Sequence, residues 1–397
     1  MDFAYSSEEE AFRGELGAWL ARELPAHRAE WPASDDEFSL HPDRAFDACL
    51  AWHRRLHAGG WVGLAWPRAY GGRGATLVEQ MIFQEEMVRA GAPPGVNLIG
   101  LIIAGPGIME WGSEAQRRRY LAPILSADEI WCQGFSEPGA GSDLAALRTE
   151  AVLEGDVFRV SGQKVWTSNA HRSHRCILLA RTAPAAPRHE GISCLLVDMR
   201  TPGITVRPLV QMTGDAEFNE VFFDDARVPR ENLLGPLHGG WKVAITVLAH
   251  ERTGLGNQVH LHHYTRLLLD LARRTRRGDR PAAQDPVVRQ ALAQCLIDAE
   301  ALRLTGLRSI TRRLRGEPPG PEGSVLKLAF TEAYVRMADA AASLLGLPGV
   351  LWRGAPSAVD GGRWAYQTLF ARRFGIAGGT SEIQRNIIGE RILGLPR

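Results

Sequence analysis

The chain has 397 residues, 46 basic against 45 acidic side chains, and is 45% hydrophobic and 8% aromatic. That length predicts two or three domains, and a formal net charge of +1 excludes a nucleic-acid binder that works through one dominant basic surface. The apolar run Asn97–Ile108 is broken by Gly and Pro and falls short of the roughly 20 residues of a membrane span, and the acidic N-terminus MDFAYSSEEEAF lacks a basic-then-apolar signal, so the expectation is a cytoplasmic protein with no membrane span.

From Tyr5 to about Leu125 the pattern is helical. Leu16, Trp19, Leu20 and Leu24 recur at helical spacing, Gly59-Gly60 and Gly71-Gly72 interrupt it, and Leu77 to Val88 resumes it. Gly112-Ser113-Glu114-Ala115-Gln116 reads as a helix stop, a Ser cap and a new helix. From about Trp131 to Phe223 the period shortens. Runs such as Cys176-Ile177-Leu178-Leu179 and Cys194-Leu195-Leu196-Val197, with turns at Glu154-Gly155-Asp156 and Pro202-Gly203, predict an antiparallel barrel or sandwich. These strands do not alternate with helices, which argues against a dinucleotide-binding βαβ sheet. From Gly239 onward long helices return, with Leu326, Phe330, Ala333, Met337, Ala341 and Leu344 on one face of a bundle helix. The fold class is therefore α+β multidomain: an N-terminal all-α domain (1–127), a middle β-barrel or sandwich domain (128–236) and a C-terminal four-helix bundle (237–397).

Three constellations could carry chemistry. Gln133-Gly134-Phe135-Ser136-Glu137-Pro138-Gly139-Ala140-Gly141-Ser142-Asp143 closes a short strand and turns through glycines. Backbone N–H groups there can approach a ligand oxygen, with Ser136 and Ser142 adding hydroxyls; the plain alternative is an ordinary Gly-rich turn. Lys164-Val165-Trp166-Thr167-Ser168-Asn169 places an aromatic and two hydroxyls at a strand end, suited to a flat ring, unless Trp166 is a core residue. Gly378-Gly379-Thr380-Ser381-Glu382-Ile383-Gln384-Arg385-Asn386 sets two glycines before a helix N-terminus, an anion site or a simple cap by Thr380 or Ser381.

In this order and spacing the three resemble the acyl-CoA dehydrogenase family across essentially the whole chain. Gly60-Trp61-Val62-Gly63-Leu64-Ala65-Trp66-Pro67 with Tyr70-Gly71-Gly72, Ser161-Gly162-Gln163-Lys164, the stretch from Phe222 to Gly235, and the ending Ile387 to Arg397 extend the likeness. The resemblance implies an FAD-dependent oxidoreductase of lipid metabolism and fatty acid β-oxidation. It implies an acyl-CoA or acyl-carrier thioester substrate and an electron-transfer flavoprotein as acceptor. Carried over by position, Gln133, Phe135, Ser136, Gly141, Ser142, Trp166, Thr167, Ser168, Thr380 and Ser381 become flavin contacts, and Ser142, Arg252 and Gly379 face the substrate.

The family's reaction removes a proton α to the thioester while hydride leaves the β carbon for flavin N5, so a carboxylate must face the flavin across the substrate. In much of the family that Glu directly precedes Gly-Thr-Ser. Here the position is Gly378, whose N–H is left to polarise the thioester carbonyl. In the branch resembling isovaleryl- and long-chain-type enzymes the Glu precedes an Arg on a bundle helix, which Leu248-Ala249-His250-Glu251-Arg252-Thr253 matches. Glu251 is therefore the expected base and Arg252 its electrostatic neighbour; the plain alternative is a surface Glu beside an Arg.

Two segments depart from the family pattern. Where an Arg-x-x-Phe-Gly segment usually completes FAD binding across a dimer, this chain reads Arg273-Arg274-Thr275-Arg276-Arg277-Gly278-Asp279-Arg280. Where a Gln-x-x-Gly-Gly segment is usual, it reads Ser343-Leu344-Leu345-Gly346-Leu347-Pro348-Gly349. The change resembles members that pair unlike subunits on bulky, often steroid-derived CoA esters, so the assembly is a homodimer or homotetramer, or a heterotetramer with a paralogue. An oxidase using O2 and a half-site subunit without its own activity are the competing functions. The Arg cluster suits either phosphates or a solvated helix end beside a loop. Gly254 and Gly256 either make room for a ring-bearing acyl group or pack crossed helices. The dispersed Cys49, Cys132, Cys176, Cys194 and Cys295 read as small apolar residues without catalytic role, and His260, His262 and His263 lack the partners of a metal site, so no metal is expected.

Overall fold

The computed structural model describes residues 4–32, 42–251, 257–317 and 320–396, with side chains left out at 42–43, 249–251 and 257. Helix α1 (Ser7–Glu30) starts at a reciprocal cap between Ser6 and Glu9 and buries Leu16, Trp19, Leu20 and Leu24, the expected face. Then come α2 (Pro42–Ala58) and α3 (Leu77–Ala90), the latter opened by Thr76 with Glu79 and closed by left-handed Gly91. The Asn97–Ile108 run is a wide π turn, Gly100–Ala104, that feeds α4 (Gly105–Trp111). Gly112 stops α4, and Ser113 with Gln116 caps α5 (Glu114–Ser126), as the sequence predicts.

The strands follow: β1 (Trp131–Gly134), β2 (Glu150–Glu154), β3 (Val157–Lys164), β4 (Arg175–Arg181), β5 (Ile192–Asp198), β6 (Ile204–Leu209), β7 (Phe218–Pro229) and β8 (Leu233–Leu234). They form one sheet in the order β6-β7-β3-β2-β4-β5-β8, with β1 added on β4. Most neighbours are antiparallel, but β1 lies parallel to β4, with Cys132 opposite Cys176, and β2 touches β4 in parallel at Glu150 and Arg181. These pairings correct the purely antiparallel expectation. The β2–β3 hairpin intervenes between β1 and β4 and supplies the long crossover that parallel neighbours need.

The remainder is α6 (Gly240–Glu251), α7 (Asn257–Arg274), the two-strand ribbon β9 (Arg276–Arg277) and β10 (Arg280–Pro281), α8 (Pro286–Leu314), α9 (Glu322–Leu345), α10 (Arg363–Phe370) and α11 (Ser381–Arg391). α7 ends with Arg273 and Arg274 in its last turn, as the helix-end reading expects, while the loop after it is a ribbon: left-handed Gly278 lets the chain fold back so that Arg277 faces Arg280.

Two compact units emerge. One joins Met1–Ala48, Ala75–Pro93 and Arg252–Arg397; the other joins Cys49–Gly74 and Pro94–Glu251. In the first, Leu268, Leu271, Leu292, Leu302, Phe330, Met337 and Ala341 make the bundle core of α7, α8 and α9, and Leu326 packs against it. In the second, alternate residues of β2, β3, β4, β5 and β7 meet around Phe158, Leu178, Leu195 and Val221. Cys132, Cys176 and Cys194 are buried free thiols. Burial drives the thiol of Cys132 well up and that of Cys194 likewise, so both are inert at neutral pH. No described helix is long and apolar enough to cross a membrane.

Candidate active site

In the sheet-containing unit the first two constellations are built against each other. Lys164, at the end of β3, is fully buried. Its Nζ donates to the Phe135 carbonyl at 3.0 Å and to Glu137 Oε1 at 2.7 Å. Glu137 also accepts the backbone N–H groups of Arg148 at 2.7 Å and Thr149 at 2.8 Å. Val165 N–H adds a bond to the Ser136 carbonyl at 2.9 Å. Burial works to raise the Glu137 carboxyl, but the Lys164 charge and the donated hydrogen bonds outweigh it and hold it below the usual range. Burial pulls Lys164 down to about 8, with Glu137 opposing, so the pair is ionised at neutral pH. This buried pair ties the Gln133–Asp143 loop to the Trp166 loop. The sequence reading named both residues without giving either a role.

Trp166 is not a core residue. It is 59% exposed, and its φ of 61° is left-handed, a conformation that bulky residues avoid. Phe218 meets its ring edge-on at 5.9 Å. A strained backbone that presents a large apolar face outward makes Trp166 a candidate binding position. Next to it Thr167 is fully buried; its N–H and carbonyl are taken by Asn219, yet its hydroxyl has no partner among the described residues. Asn219, which His171 also engages at 3.0 Å, is a positioning residue the sequence reading missed.

Gln133 is half-buried on β1 and Phe135 is buried, while Ser136 and Ser168 are half-buried and Ser142 is exposed. A tight turn, with reciprocal Glu137 and Ala140 backbone bonds at 3.1 and 3.0 Å, carries the chain to Gly141. A Cβ on Gly141 would meet nothing within 4 Å, and its φ is not positive. Neither packing nor backbone geometry within this chain requires a glycine there, so the position is open to the approach of a ligand. The orphaned Thr167 hydroxyl, the outward Trp166 and the bare Gly141 fit a flat, heteroatom-rich ring.

The third constellation lies in the helical unit. Gly378 and Gly379 have φ of 67° and 91°, and the turn is held from both sides. Gln384 Nε2 donates to the carbonyls of Gly378 at 3.1 Å and Gly379 at 3.2 Å, and Lys327 Nζ donates to those of Gly379 and Phe374 at 2.7 Å each. Thr380 caps α11 by accepting from Ile383 N–H at 3.2 Å, so the cap reading is correct for Thr380, and Ser381 is the first helical residue. Of Glu251 only the backbone is described, as the last residue of α6; Arg252, Gly254 and Gly256 lie outside the described residues.

The two departed segments meet in the same unit. Arg277 donates to the Ser343 carbonyl at 2.9 Å and pairs with Asp285 at 3.4 Å, while Arg274 pairs with Asp360 and Arg276 with the Asp279 carbonyl. The guanidinium groups most suited to phosphate are thus partnered within the chain. Beside them Leu347 and Val350 are largely exposed. No group of three metal-ligating side chains occurs among the described residues.

This architecture, with helices before and after a middle sheet, belongs to a defined class of flavin-dependent oxidoreductases. Family models of the acyl-CoA dehydrogenase N-terminal, middle and C-terminal domains match residues 6–128, 132–226 and 238–393, and the chain belongs to the acyl-CoA dehydrogenase family, whose members act in lipid β-oxidation. It is 42% identical over 392 residues, 98% of both chains, to acyl-CoA dehydrogenase IpdE1 of Mycobacterium tuberculosis. Among solved structures it is similar to a chain of the ChsE4-ChsE5 complex from Mycobacterium tuberculosis (TM-score 0.86, 32% identity, 100% of each chain). It is also similar to the Tcur3481-Tcur3483 steroid ACAD (TM-score 0.85, 31% identity, 100% of each chain).

Proposed function

We propose that the protein is an FAD-dependent acyl-CoA dehydrogenase that converts an acyl thioester, on CoA or a carrier protein, to the trans-2-enoyl thioester. The observation that carries this reading is the buried, unpartnered Thr167 hydroxyl next to the outward-facing, left-handed Trp166. Bound there, FAD supplies the two-electron oxidation by taking the β hydride. Gln133, Phe135, Ser136, Gly141, Ser142, Trp166, Thr167 and Ser168 hold the ring, and Thr380 and Ser381 hold its phosphates. Glu251 takes the α proton onto its carboxylate, and Arg252 stabilises that carboxylate and the substrate. The N–H of Gly378 shares the charge that builds on the thioester oxygen, and Ser142 and Gly379 bind the substrate. Domain bounds of 1–127, 128–236 and 237–397 accompany this assignment.

The acyl group is bulky and steroid-derived, and the working assembly is a heteromer with a paralogue that passes electrons to an electron-transfer flavoprotein. Two observations support this: the self-paired Arg274, Arg276 and Arg277, and the likeness to chains of the ChsE4-ChsE5 complex and the Tcur3481-Tcur3483 steroid ACAD. The chain expressed alone should be pale and turn yellow when co-expressed with the paralogue. Glu251→Gln should keep the flavin and lose substrate-dependent bleaching. Full bleaching by that variant would reject Glu251 as base, and peroxide formed under air at the turnover rate would make the enzyme an oxidase.

A further inference from the structure

The segment that carries Trp166 ends at Asn169, whose φ of 54° is left-handed like that of Trp166, and a short 3-10 turn, Ala170–Arg172, follows. Thr167 and Ser168 thus sit between two side-chain-bearing residues in a disfavoured backbone region, and the fold must hold them there. β7 does so from one side. Asn219, fully buried on that strand, grips Thr167 twice: its carbonyl accepts the Thr167 N–H at 3.0 Å, and its Nδ2 donates to the Thr167 carbonyl at 2.9 Å. The Glu217 carbonyl accepts the Asn169 N–H at 2.7 Å and a second bond from Asn219 Nδ2 at 3.0 Å.

The Asn219 amide can do this in one orientation only. Its nitrogen faces two carbonyls, so the atom that faces His171 is Oδ1, an acceptor. His171 Nδ1 therefore carries the proton and donates to Oδ1 at 3.0 Å. Nε2 of the same ring is then an acceptor, and the Arg172 Nε–H donates to it at 3.1 Å. Arg172 on one side and Asn219 on the other fix the imidazole in its Nδ1–H tautomer. Among the described residues His171 is the one donor to Asn219 Oδ1. Without it a fully buried amide oxygen is unsatisfied, and the side chain that grips Thr167 loses its anchored end. His171 itself is exposed, so it can be exchanged without opening the core.

We propose that His171 is a positioning residue for the flavin site. Through the Asn219 amide it fixes the segment from Trp166 to Asn169, and with it the buried Thr167 hydroxyl, in the arrangement that receives the ring. This role rests on the reading of Thr167 as a flavin contact and extends it to a side chain that acts through another, not by touching flavin or substrate.

Two variants separate the donor from the bulk of the ring. Asparagine carries its amide nitrogen where histidine carries Nδ1, so His171→Asn keeps a donor for Asn219 Oδ1, whereas His171→Leu fills the space and donates nothing. In the chain expressed alone, hydrogen exchange read by mass spectrometry should be several-fold faster over residues 165–170 in His171→Leu and parental in His171→Asn. Thermal midpoints of both should stay within a few degrees of the parent, as expected for one hydrogen bond near the surface. In the complex co-expressed with the paralogue and loaded with FAD, His171→Leu should release flavin several-fold faster and shift its visible bands toward those of free FAD. His171→Asn should restore both. Parental exchange over 165–170 in His171→Leu, parental flavin release and spectrum in that variant, or a His171→Asn protein as impaired as His171→Leu would each overturn the proposal. Failure of the flavoenzyme reading looks different: the parental complex would then be colourless, while exchange over 165–170 would still decide whether His171 holds the segment.

Discussion

Lys164→Met probes the joint that holds the two sheet-side loops together. In the folded chain the ammonium is fully buried and reaches both Glu137 and the Phe135 carbonyl. Its removal leaves the Glu137 charge, only 8% exposed, with two backbone donors and no cation. Breaking one side of a buried pair costs about 3–5 kcal/mol. At about 2–4 °C per kcal/mol for a unit of this size, the thermal midpoint of the sheet-containing unit should fall by roughly 10 °C. Lys164→Met with Glu137→Leu removes both charges and should recover most of that loss, because an apolar replacement of a whole pair is close to neutral. Flavin content should not recover with it, since the Phe135 carbonyl still lacks its donor. Scanning calorimetry of both single variants and the double variant gives the coupling directly, and flavin absorbance is read on each after co-expression with the paralogue. A Lys164→Met midpoint within 2 °C of the parent, or strictly additive losses in the double variant, would refute the reasoning.

Further outcomes follow from the same geometry. The Cβ of Gly141→Ala meets no protein atom within 4 Å, so its thermal midpoint should stay within about 2 °C of the parent while flavin content drops severalfold; a fall in midpoint without flavin loss would make Gly141 a folding residue. Trp166→Gly should exchange the relief of left-handed strain for the lost Phe218 contact, each about 1 kcal/mol, and so leave the flavin-free protein nearly as stable but unable to retain the cofactor in a desalting column. His53 is buried with Nε2 at 2.9 Å from the Leu125 carbonyl, and burial holds its pKa below the usual value. The unfolded chain therefore takes up the proton first, and stability should decline as pH drops below about 6.5. His53→Gln should flatten that slope in melts between pH 7.5 and 5.5.

Periodicity carried the coarse fold. The α9 stripe, the Ser113 cap and the paired runs of β4 and β5 depend on neighbours a few residues apart or on one alternating pattern, and all three were legible. Partnerships across long separations were not. Lys164 and Glu137 lie 27 residues apart, and nothing in either segment names the other. Asn97 reads as the start of an apolar run, yet its amide bridges the Ile124 and Glu129 carbonyls and accepts from Trp131 N–H, which seats β1. The parallel β1–β4 pairing was hidden for the same reason, because a crossover leaves no local mark. In the site, hydroxyl and glycine positions could be named from motifs, but the hold on Thr167 comes from Asn219, which takes its backbone carbonyl from 52 residues away.

The Gly378-Gly379 turn also limits what the segment can carry. With φ of 67° at the first glycine, a glutamate placed there would carry a left-handed cost of about 1–2 kcal/mol. A Cβ at the second would press on Gln384 Nε2 at 2.6 Å, the group that braces the turn. A side chain at either glycine therefore works against the turn that Gln384 and Lys327 hold, so the two bare positions and their two braces stand as one unit.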